Sequence, residues 1–133
     1  MRMGPVVTVL SLFLFSWGIG LTQEKEAVEI RALRAEPSEV SPGATVRISC
    51  QVTHEEGATF VERVAATVQF GNWVTEYPML YDDGTHGDLV SGDGVYSLLV
   101  RAAEIPGEEK ITFTVVDKGR REFRSNPISL TIR

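Results

Sequence analysis

The stretch Ala44-Thr45-Val46-Arg47-Ile48-Ser49-Cys50-Gln51-Val52-Thr53-His54 puts Val46, Ile48, Cys50 and Val52 on one parity and Arg47, Ser49, Gln51 and Thr53 on the other. Alternation kept up over that length predicts a β-strand with one face in a core and one in water. Cys50 falls on the core parity, where it reads as a small buried hydrophobe rather than a reactive thiol. His54 shares that parity at the strand's end.

Outward from this strand the pattern repeats. Upstream, Ala27 to Ala35 carries Val28, Ile30 and Leu33 among charges, and the spacing slips from two to three, which predicts an edge strand with a bulge. Glu36-Pro37-Ser38 and Ser41-Pro42-Gly43 punctuate the chain as turns. Downstream, Val61 to Phe70 sets Val64, Ala66, Val68 and Phe70 inward, Gly71-Asn72 reads as a tight turn, and Trp73 to Tyr81 resumes extended character. Pro78 cannot donate to a ladder, so that run belongs at a sheet edge or is interrupted there. Val95 to Ala102 is apolar on both parities and is expected to be a central strand with both faces covered. Lys110 to Asp117 alternates again, Lys118 to Arg121 reads as a hairpin turn, and Phe123 to Arg133 closes the chain with Pro127 marking an edge. Seven short strands, regular spacing and no amphipathic helix predict an all-β, seven-stranded antiparallel sandwich of the immunoglobulin or fibronectin type III kind.

The N-terminal residues are of another kind. Arg2 precedes an apolar run from Val6 to Phe15, and Gly18 and Gly20 follow it, the tripartite pattern of a secretory signal peptide spanning residues 1–22. Residues 23–133 would then be the exported domain. The rival reading is an uncleaved membrane anchor, because no charge occurs from Met3 to Gln23. Removing the leader takes Arg2 with it and shifts the formal charge from −5 to −6. Such a surface lacks the basic stripe that phosphate neutralisation needs, which excludes a nucleic-acid partner. Cys50 is the one cysteine, so no internal disulfide staples the domain. Neither Asn72, followed by Trp73-Val74, nor Asn126, followed by Pro127, is a glycosylation acceptor. Together these features fit a periplasmic, cell-surface or secreted bacterial protein.

Between two predicted strands lies Asp82 to Tyr96, DDGTHGDLVSGDGVY, with four aspartates and four glycines in fifteen residues. Asp83, Asp88 and Asp93 recur at five-residue intervals, and Asp82 adjoins the first. Hard oxygen ligands on a loop that glycines let turn sharply are what a calcium site needs, so Asp82, Asp83, Asp88 and Asp93 are the candidate ligands. The competing account is a long turn whose aspartates cap backbone N–H groups, in which case at least one should accept such bonds within the loop. Trp73, Tyr77 and Tyr81 are a candidate aromatic platform for a sugar, weighed against packing at the rim. His54 and His86 have no partners at zinc spacing, and no acid, base and nucleophile set can be assembled, so no catalytic residue is assigned.

The segment Met79 to Tyr96 resembles the DDG-x-x-GD-x-x-x-GDG-x-Y signature of bacterial Ig-like sandwich modules of the choice-of-anchor X kind, and Glu36 to Val46 is similar to the opening of many such modules. Phe113 and Val115 stand on the strand where immunoglobulin domains proper carry their second disulfide cysteine, and Ile111 stands in the place of the corner tyrosine. The resemblance implies an accessory, binding or spacer module without activity of its own. The expected function is therefore non-enzymatic contact, through loops or sheet edges, with a protein or glycan in the envelope or outside the cell. The alternative is a carbohydrate-binding module stabilised by calcium.

Overall fold

A computed structural model describes residues 27–133. The signal-peptide and membrane-anchor readings lie outside those residues. Among the described residues the chain forms nine β-strands and one short 3-10 turn, Ala58–Phe60. The strands are β1 (Val28–Glu36), β2 (Glu39–Val40), β3 (Thr45–His54), β4 (Val61–Phe70), β5 (Trp73–Tyr77), β6 (Val95–Arg101), β7 (Gly107–Asp117), β8 (Glu122–Arg124) and β9 (Ile128–Ile132). No helix among the described residues is long and apolar enough to cross a membrane.

Two sheets share one core. The smaller runs β1-β3-β6, and the larger runs β2-β9-β7-β4-β5 with β8 paired on β7. All pairings are antiparallel except the short one between β2 and β9, where Thr131 lies opposite Glu39. Val46, Ile48 and Cys50 from the smaller sheet meet Val64, Ile111, Phe113, Val115 and Leu130 from the larger, all essentially without solvent contact. The alternation of β3 is thus realised, and burial pushes the Cys50 thiol up to about 12, well away from a reactive thiolate. The edge position of β1 and its irregularity also hold: the register with β3 shifts between Arg31 and Arg34, where Ala32 takes a φ of 51°.

The strand count is nine rather than seven. Pro127 divides the expected last strand into β8 and β9, because it offers no N–H to continue the ladder. Glu39-Val40, held between Pro37 and Pro42, is too short to show a period. β6 was expected at a sheet centre and lies at an edge of the smaller sheet. Its free edge is occupied in part by chain rather than by another strand, since Tyr81 bridges to Ser97 beside it and the Leu99 N–H donates to the His86 carbonyl of the aspartate-rich loop, and on its second face the Leu99 side chain lies against Gly87 of that loop. Ser97 is buried while Leu99 stays half exposed.

Candidate functional site

The aspartate-rich loop leaves Tyr81 and returns at β6. Asp82 organises it: one carboxylate oxygen accepts the N–H groups of Gly92 at 3.1 Å and Asp93 at 3.2 Å, and the other accepts that of Gly94 at 2.9 Å. Asp88, buried, accepts the Gly84 N–H at 2.7 Å, and Asp93 accepts the Val95 N–H at 2.9 Å. Asp83 turns to a separate cap, accepting the N–H and the hydroxyl of Thr85. Each aspartate therefore binds backbone N–H groups inside the loop, as a turn-building role requires.

Three of the four also converge. One oxygen from each of Asp82, Asp88 and Asp93 lies within 4.8 Å of the others. Asp83 is not among them, so the group is built from the first aspartate of the pair and not from the five-residue recurrence alone. Among the described residues no lysine or arginine pairs with any of the three. At an effective dielectric of 20, like charges at about 5 Å repel by roughly 3 kcal/mol, falling to about 1 in water. Burial first, and then the Asp93 and Asp88 carboxylates, push the Asp82 carboxyl upward against the pull of the Gly94 and Asp93 N–H groups. The exposed Asp83 moves the other way, held down chiefly by the Thr85 hydroxyl. Three convergent carboxylates fit the hard-oxygen chemistry of calcium, with backbone carbonyls or water left to complete six to eight ligands.

The aromatic candidates separate into two places. Trp73, Thr75 and Tyr77 lie opposite Phe70, Val68 and Ala66 in the β4–β5 register, so they share the face that turns toward the core. Trp73 is nevertheless 79% exposed, because β5 is the last strand of its sheet. It lines, with Phe70, Tyr77, Ile105 and Glu109, a cleft of about 480 Å³ where the two sheets part. Phe70 is folded tightly against the chain opposite: a Cβ on Gly107 would come within 2.5 Å of its ring. Tyr81 belongs to the other place. It stacks on His86 with ring centroids 3.8 Å apart and planes at 11°, which leaves that pair to the aspartate-rich loop.

Two polar groups had no assigned role in the sequence reading. Glu109 sits in the cleft only 6% exposed, accepting the Ala103 N–H at 3.2 Å. Burial raises its carboxyl above the ordinary carboxylate value, against the Ala103 hydrogen bond. The alternation of β7 places Glu109 on the inward parity with Ile111, Phe113 and Asp117, and an acid on that parity is the signal the sequence offers. The second group is a buried pair of His54 and Asp117. The Glu56 N–H donates to His54 Nδ1 at 2.9 Å, so Nε2 carries the proton that is given to Asp117 Oδ2 at 3.0 Å. Both ring nitrogens are thereby occupied inside the protein, and none is free to act as a base.

No protein-family model matches the chain, and no curated protein matches it. Among solved structures, a DUF3823 family protein from Bacteroides ovatus aligns with 99% of this chain and 62% of its own at 11% identity and a TM-score of 0.56. A cycloalternan-degrading enzyme from Trueperella pyogenes aligns with 74% of this chain at 10% identity and a TM-score of 0.54, and the match takes in 12% of the enzyme. The chain thus spans about three fifths of the first and an eighth of the second. At such identities the likeness is one of fold: this is an all-β arrangement of two sheets that recurs in other proteins.

Proposed function

We propose that the chain is a non-enzymatic, exported Ig-like module that works by contact, through the cleft at the β5 edge of its larger sheet. The observation that carries this reading is Trp73, left 79% exposed at the mouth of a cleft that Phe70 and Tyr77 also line. Large aromatic surface at a concave site gains more from a partner than from water. The order β1-β3-β6 against β5-β4-β7-β9 supports the Ig-like part, since the chain crosses between the sheets after β3, β5 and β6 and so sets β6 beside β3 and β7 beside β4, a Greek-key arrangement of the immunoglobulin and fibronectin type III kind. The resemblance of Met79 to Tyr96 to choice-of-anchor X modules supports it from the sequence side. The signal-peptide pattern in residues 1–22 supports export. The engagement of both His54 nitrogens, and of His86 by Tyr81 and the Thr85 hydroxyl, supports a role without catalysis.

Arrays of glycans and extended peptides probed with labelled protein test the reading. Binding to at least one class, lost in Trp73→Ala and Tyr77→Ala, is the expected result; binding unchanged in both variants contradicts it.

A second reading, a carbohydrate-binding module stabilised by calcium, is favoured by the convergence of Asp82, Asp88 and Asp93. The cation would stiffen the loop that lies against β6 and take no part in chemistry. Trp73 and Tyr77 would then stack on the sugar.

A further inference from the structure

Glu109 is the unusual member of the cleft. Its carboxylate is buried, and among the described residues its only partner is the Ala103 N–H. The cation that lines the cleft, Arg101, is mostly exposed and reaches the exposed Glu104 at 3.7 Å. Around Glu109 stand aromatic side chains: Phe70 follows Gln69, which pairs with Lys110, and Trp73 and Tyr77 continue the wall on β5. A desolvated carboxylate with one hydrogen bond is a costly arrangement in a free protein. A neutral hydroxyl would supply a second hydrogen bond and leave the charge unanswered. An ammonium group supplies both N–H donors and the opposite charge, and aromatic faces add a cation–π attraction that grows when water is excluded.

The place of the cleft indicates how such a group would arrive. β5 is the end strand of its sheet, and its outer edge offers unpaired N–H and C=O groups to an extended guest. A strand added there would send every second side chain to the face that carries Trp73, Thr75 and Tyr77, which is the cleft face.

Resting on the contact-module reading above, we infer that the cleft takes a lysine side chain from an extended segment of a partner protein, its ammonium group on Glu109 and its methylenes between Trp73 and Tyr77. Glu109 answers the charge, the aromatic rings select a long apolar stem, and the β5 edge holds the guest backbone.

The test is a chemical-shift titration of the isotopically labelled protein with a short acetylated, amidated peptide of threonine and valine bearing one central lysine. The same peptide with norleucine in place of lysine, and maltohexaose, are the comparison ligands. The lysine peptide should shift Phe70, the Trp73 indole and the Ala103 amide, and should bind roughly tenfold or more tightly than the norleucine peptide. Glu109→Gln keeps an acceptor for Ala103 and should abolish that preference, while a thermal melt verifies that the variant is folded. Equal binding of the two peptides, or a preference that survives Glu109→Gln, overturns the inference. If maltohexaose alone moves the cleft resonances, the ammonium inference fails and the contact-module reading stands. If no ligand moves them, both fail.

Discussion

His54 Nε2 lies 3.0 Å from Asp117 Oδ2, with both side chains sealed from solvent at the ends of β3 and β7. The pair ties the smaller sheet to the larger where the hydrophobic contacts run out. Arg121 joins it from the hairpin turn, its Nε 3.1 Å from the same carboxylate oxygen and its N–H donating to the other at 2.9 Å. The His54 hydrogen bond first, and Arg121 after it, hold the Asp117 carboxyl down to about 2, against a desolvation that raises it.

That depression makes Asp117 an acid-sensitive tie. A carboxyl whose folded value lies below its unfolded one stabilises the protein fully above the unfolded value, near 3.8, and ceases to do so as pH falls through about 2. The melting temperature of the wild type should therefore drop steeply between pH 4 and pH 2. Asp117→Asn should melt lower at neutral pH and show a flatter acid limb. Parallel acid limbs in the two proteins would remove Asp117 from the account.

The sign is reversed at Glu109. Burial raises this carboxyl in the folded state, so the folded protein favours the protonated form, and stability present below about 4.5 is lost as pH rises through the folded value. Glu109→Gln should raise the melting temperature at pH 7, and the gain should shrink toward pH 4. Thermal melts across that range decide it, and a variant less stable at pH 7 contradicts it.

Within the aspartate-rich loop the costs should be ordered by hydrogen bonds. Asp82→Ala releases three backbone N–H groups and should cost about 1–3 kcal/mol, whereas Asp93→Ala releases one and should cost about 0.5–1. Gly94, at a φ of 83°, sits where a β-branched residue is strained, and Gly94→Val should cost about as much as Asp82→Ala. Urea unfolding curves measure all three, and equal costs for Asp82→Ala and Asp93→Ala would count against the ordering.

Calcium has its own readout. If the three convergent carboxylates hold it, millimolar calcium should raise the melting temperature, and Asp88→Asn should cancel the rise. A melt that is the same in calcium and in chelator leaves the loop as a hydrogen-bonded turn alone.

Much of this architecture was readable from local pattern, and the exceptions have physical causes. Alternation in β3, β4 and β7 reports burial directly, because each has the core on one side. β6 misled, since a strand covered by a folded loop carries the same two-sided apolar signature as one inside a sheet. Aspartate spacing marked the loop but not its convergent set, which depends on the loop returning over ten residues to bring the Gly92 N–H onto Asp82. Trp73 and Tyr77 follow from strand parity, whereas the parting of Tyr81 from them is made by the chain's crossing to the other sheet after Pro78. Glu109 and the His54–Asp117 pair are long-range facts: their parity marked them as inward, and only the fold supplies what each one meets.

The claim at the centre is that this protein works by contact at the β5 cleft. Mapping backbone and indole chemical shifts during titration with whichever glycan or peptide the arrays select tests it most directly. Perturbations should gather at Phe70 to Tyr77 and at Arg101 to Glu109, and should vanish in Trp73→Ala. Perturbations confined to the Asp82 to Tyr96 loop, or unaltered by that substitution, would contradict it.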